Sequence, residues 1–316
     1  MRSEWLPGAE LRLAPTTAGL YRTLMQAYVI PRLGGRNLDQ ITTADLTRLY
    51  ADLLASGGRG GRRLAPKTVR HVHTTLRRAL ADAVKARHLA YNPADGASAP
   101  RVLPTRDPKV WSAEQVRAFG EHVSGDRLEA LWILAATSGM RRGELLGLHW
   151  SDADVQTGTV QVRQVLATYR DAEGWLVRIF KEPKSPASRR LVPLVPTAVQ
   201  ALRAHAGRQA DEQAAAGEAY ADQGLVFADE IGDPLSFEAV AGAFRRLVAE
   251  AKLPPITLHD LRHSFATIAL HAGVDVLYVA EVLGHSSPTI TASIYQHTRP
   301  ERKVEAVARV GAAIFG

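Results

Sequence analysis

The sequence predicts a mainly α-helical protein, with an N-terminal helical domain and a C-terminal α+β domain that contains a small antiparallel sheet. Apolar residues recur every three or four positions along most of the 316 residues, as in amphipathic helices, whereas period-two alternation is confined to residues 159–195. Four prolines stand between residues 92 and 110, and proline stops helix and sheet alike. This extended stretch places the domain boundary near residue 104, between domains of residues 1–103 and 104–316.

Helices are predicted in the first domain over residues 16–30, 42–55 and 66–88. Pro31 is expected to end the first helix, because proline cannot donate a backbone hydrogen bond. Thr42 or Thr43 is the N-cap of the second helix. Pro66 opens the third helix at a first-turn position, where its missing N–H costs nothing.

The positive charge of the chain lies almost entirely in the first domain. Of the formal net charge of +7, residues 1–103 carry 16 Lys and Arg against 7 Asp and Glu, and residues 104–316 carry 23 against 25. A compact basic region beside a nearly neutral one is typical of a protein that binds a polyanion, with DNA first among the candidates. A basic surface without a partner is the alternative.

The third helix carries the strongest basic face. One side is apolar, and the other holds basic residues with Asp82 as the one acid that offsets them. We therefore expect phosphate contacts from this helix and from the linker, although such a face can also be only a solvated surface. The candidate DNA-binding residues are Lys67, Arg70, Arg77, Arg78 and Arg101.

Several classes of protein are excluded or disfavoured by composition. The chain has no Cys, so a disulfide framework, a thiolate zinc site and a cysteine nucleophile are all excluded. No apolar run reaches the ~18 residues of a membrane helix, and Met1 is followed by charged residues rather than by a signal peptide. We expect a cytoplasmic protein without membrane contact.

The second domain is predicted to begin with a helix capped by Ser112. Strands over Thr159–Val165, Leu176–Phe180 and Arg190–Val195 are expected to pair as a three-stranded antiparallel sheet. Helices are predicted over residues 112–123, 126–137, 140–148, 197–215, 236–252, 259–272, 275–283 and 300–314.

Six polar side chains of this domain could together break a phosphodiester bond without a metal ion. The reaction needs a nucleophile in line, groups that neutralise the developing charge, and a proton for the departing alkoxide. Guanidinium and imidazole groups can replace the metal cations that other enzymes use. The six residues are Arg141, Lys184, His259, Arg262, His285 and Tyr295.

Arg141 follows a Gly-containing turn that leads directly into a helix. Its predicted place in the first turn is one where free N–H groups and the helix dipole already favour an anion. Glu144 lies three residues later on the same face and can orient the guanidinium. A common surface Arg–Glu pair is the alternative interpretation.

His259 and Arg262 project from one face of a helix. His263 lies four residues after His259, which imitates the His-Glu-x-x-His zinc signature. Asp260 replaces the Glu of that signature, and Arg262 would place a fixed positive charge beside a dication. We therefore expect no metal, and a structural hydrogen-bonding role for His263.

His285 and Tyr295 stand ten residues apart near the end of the chain. Gly284 ends a helix, so that His285 is presented on the following loop. Tyr295 has polar neighbours, which favours an accessible hydroxyl. Tyr278, at helical spacing among apolar residues, is expected in a core or an interface.

Lys184 lies in a Pro-rich turn between two predicted strands. Only seven lysines occur against 32 arginines. An ammonium group can give up a proton, whereas guanidinium almost never does, so Lys184 is the candidate acid for the departing 5′ oxygen. Lys181 is the alternative.

These residues resemble, in order and spacing, the catalytic set of the tyrosine recombinases, specifically the phage-type integrases. The phrases Leu-His-Asp-Leu-Arg-His and Leu-Gly-His-Ser-Ser are similar to that family, and the N-terminal helices resemble its SAM-like core-site-binding domain. The resemblance covers residues 10–300. Many integrases carry a further domain for arm sites before these helices, and we expect none here.

The resemblance implies a site-specific recombinase of double-stranded DNA that needs no cofactor. Tyr295 would form a 3′-phosphotyrosyl bond with the DNA. The site would be made cationic, and the phosphate bound, by Arg141, Arg262 and His285. His259 would help to accept the tyrosine proton, and Lys184 would protonate the leaving group. Four protomers would exchange strands through a Holliday junction, each duplex clamped between the two domains, with accessory DNA-bending or directionality proteins.

Two other functions use similar residues. A type IB topoisomerase reseals the same strand and acts as a monomer, and a catalytically inactive regulator would only bind DNA.

Overall fold

The computed structural model describes residues 5–103, 109–183, 185–285, 287 and 289. The chain divides into two compact units, residues 1–105 with 167–179, and residues 106–166 with 180–316. The segment 167–179 belongs in sequence to the second predicted domain, yet it groups with the first unit. The predicted boundary near residue 104 stays a prediction.

The first unit is built from helices α1 (Trp5–Glu10), α2 (Pro15–Leu24), α3 (Ile30–Leu33), α4 (Thr43–Ser56) and α5 (Pro66–Lys85). Thr42 caps α4, since its hydroxyl accepts from the N–H of Asp45 while the Asp45 carboxylate accepts from the N–H of Thr42. The core of this unit is formed by Leu46, Leu49, Tyr50 and Leu53 of α4 against Val69, Val72, Leu76 and Leu80 of α5.

The prediction that Pro31 ends the first helix is wrong. A π-helical turn over Met25–Val29 joins α2 to α3, and the N–H of Ile30 donates to the carbonyl of Met25, five residues back. The wider turn resets the hydrogen-bond ladder, so Pro31 takes a first-turn position of α3 in which no N–H is required.

The second unit contains α6 (Ala113–His122), α7 (Glu129–Thr137), α8 (Arg142–Leu146), α9 (Pro196–Ala216), α10 (Phe237–Glu250), α11 (Leu258–His271) and α12 (Val276–Leu283). Every residue of α7 from Ala130 to Ala136 is buried, because neighbouring elements cover all sides of this uniformly apolar helix. The Ser112 hydroxyl caps α6 as predicted.

The predicted three-stranded sheet pairs differently. Strands β1 (Ala153–Asp154), β2 (Thr159–Val162) and β5 (Arg190–Pro193) form the antiparallel three-stranded sheet in the order β1-β2-β5. Strand β4 (Leu176–Lys181) instead pairs with β3 (Val165–Arg170), a strand that lacks strict alternation and was not predicted. Alternation identifies a strand but not its partner, because register and pairing depend on turns and on tertiary packing.

Two further expectations concern the end of the chain. Tyr278 is 67% exposed, so it does not lie in a core, and the alternative expectation of an interface stays a prediction. The predicted helix over 300–314 lies outside the described residues.

Among the described helices, none has both the length and the apolar character that crossing a lipid bilayer requires.

Candidate active site

Arg141 lies at the N-cap of α8, one position before the predicted first turn, with extended backbone angles of φ −74° and ψ 151°. The turn before it needs Gly139, whose φ is +63° and where a Cβ atom would lie 2.8 Å from the Phe265 ring. The Glu144 carboxylate accepts from the Arg141 backbone N–H at 2.8 Å, as in a capped helix start, so α8 begins at Arg142 and Arg141 precedes the first turn.

The guanidinium of Arg141 is held on two sides. Its Nη1 donates to Glu144 Oε1 at 2.8 Å, and its Nη2 donates to the carbonyl oxygen of Gly284 at 3.0 Å. The side chain remains 37% exposed. A cation that is fixed by protein groups and still open to solvent is suited to bind an anion.

Arg262, on α11, is almost fully buried, with 4% of the residue exposed. Its Nη1 donates to the carbonyl oxygen of Gly139 at 2.7 Å. This bond joins α11 to the turn that positions Arg141, so the two predicted arginines lie in one cluster.

His285 directly follows the left-handed Gly284, the C-cap of α12, as the sequence predicts. Burial first, and then the positive charges of Arg262 and Arg141, lower the pKa of His285 from its ordinary value of 6.5 to about 4. His285 is therefore neutral at neutral pH in the DNA-free protein. The expectation that it adds positive charge to the site does not hold in that state, because the neighbouring arginines already disfavour a further cation.

His259 and His263 lie on α11 with their rings edge to face, 5.1 Å between centroids. Burial, followed by neighbouring positive groups including Arg262, lowers the pKa of His259, and burial lowers that of His263. A neutral imidazole at position 259 can accept a proton. Within the described part of the chain, no three His, Asp or Glu side chains come together as a metal-ligand set.

Glu144 has a second partner that sequence reasoning missed. Arg190, at the start of β5, donates from Nη2 to Glu144 Oε2 at 2.9 Å and from Nη1 to Glu144 Oε1 at 3.3 Å. The Glu144 side chain is 1% exposed and that of Arg190 is 5% exposed. A signal was present, because alternation places Arg190 on the same strand face as the buried Val192, and an arginine on an apolar face needs a buried anionic partner.

Lys184 and Tyr295 lie outside the described residues, so their predicted roles stay predictions. The alternative acid, Lys181, ends β4 and is half-buried.

The candidate DNA-binding residues of the first unit lie on the solvent side of α5 and after it. Lys67, Arg70, Arg77 and Arg78 are exposed on the helix, and Arg101 is exposed in the linker. Arg77 forms an ion pair with Asp95 at 2.7 Å, and Arg70 donates weakly to the carbonyl of Pro100 at 3.4 Å.

Comparison with known proteins identifies the class. Residues 111–302 match the phage integrase family, and residues 1–54 match the N-terminal SAM-like domain of phage integrases. A XerC-like tyrosine recombinase of Caldanaerobacter subterraneus subsp. tengcongensis is 32% identical over 289 residues, which cover 87% of this chain and 72% of that protein. An integrase of Streptomyces ambofaciens is 28% identical over 299 residues, 92% of this chain and 72% of its own length.

Solved structures share the fold. The integrase of transposon Tn1549, in complex with transposon right end DNA, superposes with a TM-score of 0.73 at 22% identity, covering 97% of this chain and 98% of that one. A lambda integrase dimer bound to a COC′ core site has a TM-score of 0.62 at 18% identity, over 93% and 77% of the two chains.

The chain belongs to the phage integrase family of tyrosine recombinases, a class of DNA strand transferases that perform site-specific recombination. The predicted fold class, mainly helical with a SAM-like domain and a catalytic domain, is confirmed.

Proposed function

We propose that Tyr295 attacks a DNA phosphate to form a 3′-phosphotyrosyl bond, and that the freed 5′-hydroxyl of another duplex then attacks this bond in turn. The observation that carries the proposal is the convergence of Arg141, Arg262 and His285 from three separate segments. Arg141 donates to the carbonyl oxygen of Gly284, the residue before His285, and Arg262 donates to the carbonyl oxygen of Gly139, in the turn before Arg141. Such an arrangement provides fixed donors for the charge that develops on a pentacoordinate phosphate.

In this mechanism the cations lower the cost of forming the nucleophile. Ionising a free tyrosine at pH 7 costs about 4 kcal/mol, because its pKa is about 10. Arg141 and Arg262 stabilise the phenolate and bind the phosphate oxygens, and the neutral His285 donates a hydrogen bond to the phosphate. His259, also neutral, accepts the tyrosine proton.

Lys184 protonates the departing 5′ oxygen, with Lys181 as the alternative acid. The energy of the broken ester is retained in the phosphotyrosyl bond, so neither ATP nor a metal ion is needed.

The partner is double-stranded DNA, held in part by the basic side of α5 and by Arg101. Four protomers assemble around two recombination sites in the cytoplasm, and accessory DNA-bending or directionality proteins regulate the reaction. The family and the exposed arginines and lysine of the first unit support the DNA partner.

A suicide substrate tests the nucleophile. The full chain is incubated in EDTA with a pool of nicked duplexes whose core is randomised, so that cleavage releases a short 5′-hydroxyl strand and traps the covalent adduct. Wild-type protein should give a protein–DNA adduct, and sequencing of the trapped DNA should give the recognised site. Tyr295→Phe should give no adduct.

Tyr278→Phe is the matched control, because Tyr278 is an exposed tyrosine seventeen positions earlier in the sequence and outside the proposed site. It should retain the adduct. An adduct that persists in Tyr295→Phe overturns the nucleophile assignment, and one that requires a divalent cation overturns the metal-independent mechanism. Joining of two separate selected duplexes distinguishes a recombinase from a topoisomerase.

A further inference from the structure

Arg190 joins three segments of the candidate site through one guanidinium group. Nη1 and Nη2 donate to the Glu144 carboxylate, and Nη1 also donates to the carbonyl of Ser188 at 3.2 Å. Nε donates to the carbonyl of Val282, at the end of α12. The planar, multidentate guanidinium can hold several acceptors at fixed angles, which a lysine ammonium cannot do.

The same guanidinium packs against the residue before His285. A Cβ atom at Gly284 would lie 2.8 Å from Arg190 Nη1 and 3.1 Å from its Cζ. Arg190 therefore contacts the backbone whose carbonyl oxygen accepts from Arg141. Arg190 thus contacts both residues that accept hydrogen bonds from the Arg141 guanidinium, Glu144 and Gly284.

Glu144 depends on Arg190 for its charge. Burial raises the pKa of the Glu144 carboxyl, but the hydrogen bond and charge of Arg190, and after them the N–H and charge of Arg141, lower it below the ordinary value overall. A buried carboxylate is stable only when it is paired and hydrogen-bonded. Without Arg190, the almost fully buried Glu144 carboxylate would keep only Arg141 of these two partners.

We propose that Arg190 is a positioning residue for DNA cleavage, which holds Glu144 and the end of α12 in place so that Arg141 and the segment bearing His285 meet the scissile phosphate in fixed geometry. The inference rests on the proposed function. It assigns to Arg190 no contact with DNA or with the reacting atoms.

A purely structural role and a positioning role differ in their pH dependence. Because the pKa of Glu144 is lowered in the folded protein, its carboxylate persists as pH falls through the ordinary range of a glutamate. Removal of the Arg190 charge should raise the pKa of Glu144. The acid limb of the pH–rate profile, in which the cleavage rate falls as the solution is acidified, should then move to higher pH. The other charged group that acts on Glu144 is Arg141, at the N-cap of the same helix. Arg262 and His263 on α11 act, with Arg141 and Arg190, on His285 after α12.

The test uses single-turnover cleavage of the nicked duplex selected by wild-type protein, measured across pH for wild type, Arg190→Gln, Arg190→Lys and Arg189→Gln. Arg190→Gln should cleave about 10²-fold more slowly near neutral pH, with an unchanged Kd for DNA and with its acid limb moved to higher pH. Arg190→Lys should keep the wild-type acid limb, because the charge remains, yet cleave about 10-fold more slowly, because the bonds to Val282 and Ser188 are lost.

Arg189→Gln is the matched control, since Arg189 is the neighbouring arginine, is exposed and pairs with the exposed Glu182. It should behave as wild type. Wild-type rate and pH profile in Arg190→Gln overturn the inference, as does a slow Arg190→Gln enzyme with an unmoved acid limb. If Arg190→Gln does not fold, Arg190→Lys decides, and a wild-type rate in it overturns the inference. Absence of any adduct with wild-type protein is a separate result, which counts against the proposed function itself.

Discussion

The Nη2 atom of Arg141 lies 3.0 Å from the carbonyl oxygen of Gly284, the residue directly before His285. This hydrogen bond links the start of α8 to the end of α12, 143 positions away in the chain. It depends on a left-handed backbone at Gly284, with φ +64° and ψ 44°, a conformation that a residue with a Cβ atom adopts only at a cost.

Gly284→Ala should destabilise the protein by about 2–3 kcal/mol, since the left-handed backbone alone costs roughly 1–2 kcal/mol and the new methyl group displaces the Arg190 guanidinium. Gly273→Ala should cost only about 1–2 kcal/mol, because Gly273 also has a positive φ but no neighbouring atom near its Cβ position. Urea unfolding of both variants measures the difference. Equal losses would show that Arg190 does not restrict position 284.

Arg262→Lys should slow single-turnover cleavage by about 10²- to 10³-fold, the usual effect of removing one fixed donor from a transition-state oxyanion site. A lysine cannot both bond the Gly139 carbonyl and present a second donor in the same plane. Quantifying adduct formation against time gives the rate. Arg246→Lys, at an exposed arginine of α10 that pairs with Glu250, should cleave as wild type. A fast Arg262→Lys enzyme would remove Arg262 from the proposed set.

Arg78→Gln should reduce the slope of log Kobs for DNA against log salt concentration by ~0.9, the value for one lost phosphate contact. Arg77→Gln should reduce the slope by less, because Asp95 already neutralises Arg77 at 2.7 Å. The two residues are adjacent on the same helix, so each serves as the control for the other. Binding titrations at several salt concentrations test this, and an unchanged slope for Arg78→Gln would contradict the assignment of α5 to DNA.

The stability of the DNA-free protein should fall as pH falls from about 6.5 towards 4. The pKa of His285 is lowered from 6.5 to about 4 by burial and by the arginines, so between these values the unfolded state binds more protons than the folded state. The contribution of His285 to the free energy of unfolding is fully present above pH 6.5 and is lost as pH falls towards 4. The lowered pKa values of His259 and His263 act in the same direction.

Melting temperatures across this pH range, for wild type and His285→Gln, measure the effect. The variant should lose less stability on acidification, because the group that titrates is gone. His71→Gln is the control, since His71 is an exposed histidine on α5, far in sequence from the site. If His285→Gln and wild type lose stability in parallel, His285 does not carry a lowered pKa.

Local patterns predicted much of this protein. The spacing of apolar residues predicted the long helices, Pro66 and Ser112 marked helix starts, and Pro93 and Pro100 lie in a stretch without helix or strand, since each signal acts over one or two turns of the chain. The motif residues predicted the family, which the comparisons confirm. The pairing of β4 with β3 was not predictable, because a strand's partner is chosen by packing against distant segments.

The sequence alone determined the class of the protein and the kinds of side chain available for its chemistry, because residue type and spacing carry that information locally. Tertiary structure alone decided that Arg141 bonds Gly284, that Glu144 lies between Arg141 and Arg190, and that His285 is neutral beside two arginines. The physical reason is that burial and electrostatic interaction depend on distance in space. Residues separated by more than a hundred positions acquire their partners and their charge states only when the chain folds.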